Sequence, residues 1–142
     1  MKKKLYIGCA LTNLPDDLRG SLLGMISEIK KELSKTFDIL EFAGVDDLKT
    51  NTPMTPEQVY IFDIDDCLKK ADYFLAICDF PAIGLGYELG TAVEQMGIPV
   101  LAVAHKDAKV SRSIVGINRP NFHFIRYVLP DEITKKALEI FK

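Results

Sequence analysis

Short apolar runs alternate with longer amphipathic segments along the whole chain. The apolar runs are typical of buried strands, and the amphipathic segments carry apolar residues at helical spacing. Such alternation builds a parallel sheet with helices on both faces. The sequence therefore predicts one three-layer α/β domain over residues 1–142, flavodoxin-like or Rossmann-like, with a five-stranded, mostly parallel sheet. The predicted strands are 4–10, 37–42, 73–78, 100–104 and 122–127, and the predicted helices are 16–35, 56–71, 87–96, 111–115 and 131–141.

Charge and cysteine content exclude several classes of protein. The net charge is −2 and the charged residues are interspersed, so no basic stripe suggests a nucleic-acid partner. No apolar run reaches the length that a membrane span requires. The three cysteines, Cys9, Cys67 and Cys78, are scattered and odd in number, which favours reduced core thiols in a cytoplasmic protein. Neither a metal nor a cofactor is predicted.

The helix that precedes the third strand has a clear start signal. Thr55 at the N-cap, Pro56 at the first helical position and Gln58 three residues after the cap predict a capping box. Periodicity predicts a buried stripe along this helix that consists of Tyr60, Ile61, Ile64, Leu68 and Ala71.

A glycine-rich segment, 79–90, follows the third predicted strand. It predicts a turn that leads into a helix, with Glu88 in the first turns, where N–H groups and the helix dipole favour an ionised acid. Ligands bind outside the carboxyl ends of strands in open α/β sheets, and a carboxylate there can act as a nucleophile. Gly90 costs a helix about 1 kcal/mol relative to alanine, which suggests a close approach to the backbone. The alternative is a tight turn followed by a solvated glutamate.

Three segments resemble the nucleoside 2-deoxyribosyltransferase superfamily, which includes the 2'-deoxynucleoside 5'-phosphate N-hydrolases. They are 81–90, which contains Gly84-Leu85-Gly86-Tyr87-Glu88-Leu89-Gly90, the first strand 5–10, and the acidic stretch 62–72. The resemblance implies cleavage or transfer of the N-glycosidic bond of a 2'-deoxynucleoside or related nucleoside through a glutamyl glycosyl-enzyme. It also implies a small-molecule nucleoside or nucleotide substrate and a homodimer or higher homo-oligomer.

The resemblance assigns three catalytic residues. Glu88 takes the place of the nucleophile, and a second acid must protonate the departing base. The family's aspartate falls on Ile64. Asp63 is favoured because it lies one turn from Cys67, beside the apolar stripe, while Asp65 and Asp66 stay open and all three could form a solvated helix face. Tyr6 matches the family tyrosine that would hold the nucleophile, and its alternative is a place in the core.

Seven further residues are predicted to bind substrate: Gly8, Asp79, Ala82, Gly84, Gly86, Ser111 and Asn118. Ser111 and Asn118 would reach the site of a neighbouring subunit, and Asp79 could bind a sugar hydroxyl or only cap a turn. Ala82 departs from the family, because hydrolases carry a phosphate-binding serine there and transferases an aspartate. The loop 11–15 also lacks the family's arginine. An alternative function is therefore a nucleoside- or nucleotide-binding protein without catalysis.

Overall fold

A parallel sheet forms the centre of the protein. The computed structural model describes residues 1–10, 14–42 and 54–142. In the described ranges the strand order is β2-β1-β3-β4-β5, and every neighbouring pair is parallel. The strands match the predicted ones to within two residues at each end, so the predicted five-stranded α/β fold is confirmed. Their bounds are β1 (Lys4–Cys9), β2 (Asp38–Glu41), β3 (Tyr73–Ile77), β4 (Val100–His105) and β5 (Phe122–Tyr127).

Helices cover both faces of this sheet. Helix α1 (Asp16–Leu33) packs against the last helix, α5 (Pro130–Ile140), and buries Leu22, Ile26, Ile29 and Leu33. Both strands in the centre, β3 and β4, are almost wholly apolar, as strands buried on two faces must be. No helix in the described part of the chain is long and apolar enough to cross a bilayer.

Helix α2 (Pro56–Tyr60) begins with the predicted capping box. The Thr55 hydroxyl accepts a hydrogen bond from the Gln58 N–H at 3.2 Å, and Gln58 Oε1 accepts one from the Thr55 N–H at 2.9 Å. The helix continues with π-type turns over Ile61–Cys67 and a short 3-10 turn over Leu68–Lys70.

The wider turns alter which residues of this helix face the core. Ile64 and Leu68 are buried, but Tyr60 and Ile61 are 46% and 42% exposed. The prediction that both belong to the buried stripe was therefore wrong, because a π-type turn does not keep the 3.6-residue spacing on which the stripe was based. Ala71 is buried but lies beyond the helix in extended backbone.

Helix α3 (Ile83–Gly90) begins four residues earlier than predicted and continues with π-type turns over Thr91–Met96. Gly84 and Gly86 lie inside its first turns rather than in a turn before it, and Glu88 is its sixth residue. A side chain at Gly90 would meet nothing within 4 Å. The predicted close approach to Gly90 was therefore wrong: this glycine lies on an exposed part of the helix.

The strand order creates a crevice beside β1. Its two neighbours are β2 on one side and β3 on the other, so the connections that leave the carboxyl ends of β1 and β3 run to opposite sides. The last residue of β1, Cys9, pairs with the last residue of β3, Ile77. Open α/β sheets bind ligands at such a switch point. The small helix α4 (Arg112–Val115) lies far along the chain, between β4 and β5.

Candidate active site

Glu88 is the only Asp, Glu, Lys or Arg among the described residues that is buried, with 8% of its surface exposed. Helix α3 directs its side chain toward β1. A Cβ atom built on Gly8 would lie 3.3 Å from Glu88 Oε2. The side chain therefore lies at the β1/β3 switch point, beside the carboxyl end of β1.

The environment of Glu88 favours its neutral form. Burial is the largest influence on its pKa; the Tyr6 hydroxyl opposes it, the charge of Asp63 adds to it, and together they raise the pKa to about 8. The expectation that the helix dipole keeps this acid ionised was wrong. The dipole acts within the first turn of a helix, and Glu88 lies beyond that turn, where loss of water dominates.

Tyr6 lies in the core, and its predicted role in holding Glu88 stays a prediction. Its side chain is completely buried, and its ring stacks on the Phe74 ring with centroids 5.3 Å apart. Burial and the negative charges of Glu88 and Asp63 raise the pKa of its hydroxyl. The Tyr6 hydroxyl is therefore close to the Glu88 carboxyl group, while the Tyr6 ring is part of the core.

Two polar atoms at this site lack a hydrogen-bond partner of ordinary geometry within the described residues: the Tyr6 hydroxyl oxygen and Glu88 Oε2. A buried polar atom without a partner costs about 1–3 kcal/mol. Native proteins contain few such atoms. Each is usually explained by a functional role or by a water molecule that forms the missing hydrogen bond. A ligand that supplies the missing donors or acceptors would explain both.

The structure separates the three candidate aspartates. Asp63 is half-buried, and its charge raises the pKa of both Tyr6 and Glu88. Asp65 forms an ion pair with Lys69 at 3.3 Å, and Asp66 lies 3.9 Å from Lys70. Of the three, Asp63 is therefore the one whose charge reaches Glu88.

Asp79 joins the carboxyl ends of three strands. Its Oδ1 accepts a hydrogen bond from the His105 N–H at 3.0 Å, and its Oδ2 accepts one from the Tyr127 hydroxyl. Met25 Sδ lies 3.3 Å from the same hydroxyl. These bonds link the end of β3 to the ends of β4 and β5. This geometry fits the capping alternative for Asp79, and a contact with a sugar hydroxyl stays a prediction.

The other predicted binding residues are spread over two places. Ala82 is the N-cap of α3, with Gly84 and Gly86 in the turns that follow. Ser111 and Asn118 are exposed in the β4–β5 connection, where the Ser111 and Ser113 hydroxyl oxygens are 2.9 Å apart. Their substrate contacts, and the oligomer that the latter two require, stay predictions. Residues 11–13 of the loop after β1 lie outside the described residues.

Sequence reasoning missed Phe74 and Arg19. In the sequence Phe74 is one more apolar residue of β3. In the structure its ring stacks on Tyr6 and borders the space over Gly8. Arg19, in the first turns of α1, donates to the Leu14 carbonyl at 3.1 Å, while its buried Nε has no partner in the described part of the chain. No local sequence signal distinguishes either residue from an ordinary strand or helix residue.

All three cysteines are free and buried, as predicted. Burial and the charge of Glu88 raise the pKa of Cys9, and burial with the charge of Asp63 raises the pKa of Cys67 to about 11. These thiols are therefore protonated and weak as nucleophiles. Within residues 1–10, 14–42 and 54–142, no group of three His, Cys, Asp or Glu side chains could hold a metal ion. The cellular compartment stays a prediction.

Comparison with solved structures shows the fold. The chain superposes on a CMP N-glycosidase of Clostridium botulinum, BcmB, with a TM-score of 0.70 at 21% identity, and the match covers 99% of this chain and 100% of that one. It also superposes on a conserved protein of Enterococcus faecalis with a TM-score of 0.53 at 18% identity, which covers 96% of this chain and 88% of that one.

Comparison with known sequences shows the family, although no family profile matches the chain. A protein of Methanosarcina barkeri is 34% identical over 112 residues, which are 72% of this chain and 68% of that protein. A protein of Methanosarcina mazei is 33% identical over 90 residues, 56% of this chain and 55% of that protein. Both carry the name "Putative 2'-deoxynucleoside 5'-phosphate N-hydrolase 1". The chain belongs to the family of these N-hydrolases, within the nucleoside 2-deoxyribosyltransferase superfamily whose residue pattern surrounds Glu88.

Proposed function

We propose that this protein cleaves the N-glycosidic bond of a nucleoside or a nucleoside 5'-phosphate, with Glu88 as nucleophile and Asp63 as acid. One observation carries the proposal. A buried carboxyl group with an unpartnered oxygen lies within electrostatic reach of a second carboxyl group, beside the crevice where such sheets bind ligands. Two carboxyl groups in different environments are the equipment of glycoside cleavage.

The proposed reaction has two steps. In the first, a Glu88 oxygen forms a bond to C1' of the sugar while the C1'–N bond breaks, and Asp63 gives its proton to the departing base. In the second, Asp63 takes a proton from water, whose oxygen attacks C1' and releases Glu88 as a carboxylate. The products are the free base and the sugar or sugar phosphate. The names of the relatives, N-hydrolase and N-glycosidase, favour water over a second base as the acceptor.

This reaction needs one proton on the acid pair. With the site empty, the proton resides on Glu88 at neutral pH, because its pKa is about 8. The attack requires the opposite arrangement, with the charge on Glu88 and the proton on Asp63. Tyr6 favours it, since its hydroxyl lowers the pKa of Glu88. A sugar hydroxyl that donates to Glu88 Oε2 would shift the proton in the same direction.

Residue 82 affects how a substrate phosphate would be bound. Ala82 offers no side-chain donor, and helix α3 begins without a side-chain cap, so any phosphate at this helix start would be bound by backbone N–H groups. We therefore expect a smaller preference for 5'-monophosphates over nucleosides than a serine at position 82 would give. Both ribose and 2'-deoxyribose substrates belong in the test panel.

Incubation with nucleosides and their 5'-monophosphates, with free base separated by chromatography, tests the proposal. We expect base release by the wild type and a loss of at least about 10³-fold in Glu88→Gln. Glu94→Gln is the matched control, because Glu94 is an exposed residue of the same helix region that pairs with Arg119 at 3.1 Å. Equal base release by wild type and Glu88→Gln would refute the role of Glu88. Binding without turnover in the wild type would support the non-catalytic alternative.

A further inference from the structure

Gly8 faces the candidate nucleophile. Side chains alternate between the two faces of a strand, so Gly8 faces the same side of β1 as Tyr6, two residues earlier. In the sheet, Tyr6 pairs with Phe74 of β3 and Gly8 pairs with Ala76. Both Gly8 and the ring of Phe74 therefore face the layer from which Glu88 approaches.

Phe74 and Glu88 border the space above Gly8. A Cβ atom there would lie 3.1 Å from Phe74 Cε1, 3.4 Å from Phe74 Cζ and 3.3 Å from Glu88 Oε2. Phe74 is completely buried and stacks on Tyr6, so the ring has little room to move. The carboxyl group is the neighbour with the greater freedom, because it ends a flexible side chain.

We propose that Gly8 is a positioning residue for Glu88: its missing side chain leaves a slot, bounded by the β1 backbone and the Phe74 ring, that holds Oε2 away from water. The consequence for catalysis rests on the proposed function of Glu88. The slot fixes the carboxyl group by shape, since Oε2 has no hydrogen-bond donor among the described residues.

The slot also explains why Glu88 stays neutral in the empty site. An oxygen that is buried beside the β1 backbone is poorly hydrated, and desolvation is the largest cause of the raised pKa. Among the described residues, the titratable groups that act on Glu88 or feel its charge are Tyr6 and Cys9 on β1 and Asp63 and Cys67 in the π-type turns that follow α2. None of them supplies a positive charge that would offset the loss of water.

A methyl group at position 8 should push Oε2 away by a few tenths of an ångström, because the new Cβ atom would lie only 3.3 Å from it. In Gly8→Ala we expect the midpoint of the Glu88 titration to fall by at least one pH unit, because the displaced carboxyl group becomes hydrated. We expect kcat for base release to fall at least tenfold with KM changed less than threefold. Gly90→Ala is the matched control, since it adds the same methyl group to an open position of α3 and should change neither quantity.

The titration is measured by NMR on protein labelled with ¹³C in the glutamate carboxyl group, with Glu88→Gln to assign the signal. If Gly8→Ala does not fold, Gly8→Ala/Phe74→Leu decides, because the smaller side chain removes the ring contacts and leaves the 3.3 Å contact with Oε2. An unchanged Glu88 midpoint in the folded variant would overturn the inference. That result is distinct from a failure of the proposed function, which would appear as undiminished base release by Glu88→Gln.

Discussion

Asp79 and Glu88 are two carboxyl groups of one connecting segment, nine residues apart, with opposite surroundings. Both oxygens of Asp79 accept hydrogen bonds, one from the His105 N–H and one from the Tyr127 hydroxyl. Oε2 of Glu88 has no such partner within the described residues and lies beside Gly8. The difference separates a carboxylate that is bonded within the fold from one with a buried oxygen that the described residues leave without a partner.

The two surroundings have opposite effects on stability. A hydrogen bond to a charged group contributes about 1.5–3 kcal/mol, so Asp79 holds the strand ends together. A buried acid without a donor is stable only when protonated, so Glu88 weakens the folded state as soon as it ionises. Active sites commonly store such a cost where a substrate can later relieve it.

The largest expected effect concerns the acid that acts with Glu88. Asp63→Asn should lower kcat for base release by about 10²–10⁴-fold, because the departing base then lacks its proton donor. Asp66→Asn should change kcat less than threefold, since Asp66 lies on the solvent side near Lys70. Steady-state kinetics of the two variants measures both. A larger loss in Asp66→Asn than in Asp63→Asn would contradict the assignment of Asp63.

A second effect, of a few kcal/mol, is the dependence of stability on pH. Folded Glu88 holds its proton up to about pH 8, whereas the ordinary pKa is 4.5. The folded state therefore binds more protons than the unfolded state between these values, and the free energy of unfolding falls as pH rises through the window. Urea denaturation at several pH values should show this fall in the wild type and a flatter curve in Glu88→Gln. Parallel curves for the two proteins would mean that Glu88 is not desolvated.

A smaller effect is expected at Asp79, whose two carboxylate oxygens both accept hydrogen bonds. Asp79→Asn and Tyr127→Phe should each reduce the free energy of unfolding by about 1–3 kcal/mol, because each leaves a partner at the strand ends without its hydrogen bond. The double variant should lose less than the sum of the two single losses, since both remove the same bond. Urea denaturation of the wild type, the two single variants and the double variant at one pH measures these free energies of unfolding. Fully additive losses would show that the Asp79–Tyr127 bond contributes nothing to stability.

The sequence predicted the part of the site that depends on local pattern. The five strands follow from apolar runs, the start of α2 follows from Thr55 and Gln58, and the candidate nucleophile follows from the pattern around Glu88. The start of α3 was misplaced because three glycines and a proline suggest a turn, while Ala82 in extended backbone already permits the helix to begin at Ile83.

What the sequence could not predict depends on residues that are distant along the chain. The raised pKa of Glu88 depends on burial of its side chain beside β1 and on the charge of Asp63 in the π-type turns after α2. The sequence favoured Asp63 but left Asp65 and Asp66 open; the fold separates the three, because only the charge of Asp63 acts on Glu88, while Asp65 and Asp66 lie near Lys69 and Lys70. The role of Asp79 in joining the strand ends depends on Tyr127, which lies 48 residues later in the sequence and donates a hydrogen bond to it.

The most direct test of the central claim is to find the sugar on Glu88. Wild-type enzyme mixed with substrate is quenched in acid within milliseconds and digested, and its peptides are analysed by mass spectrometry. Our account predicts a peptide that contains Glu88 with the added mass of the sugar less one water, and no such peptide from Glu88→Gln. Rapid base release by the wild type with the sugar attached elsewhere, or with undiminished release by Glu88→Gln, would contradict it.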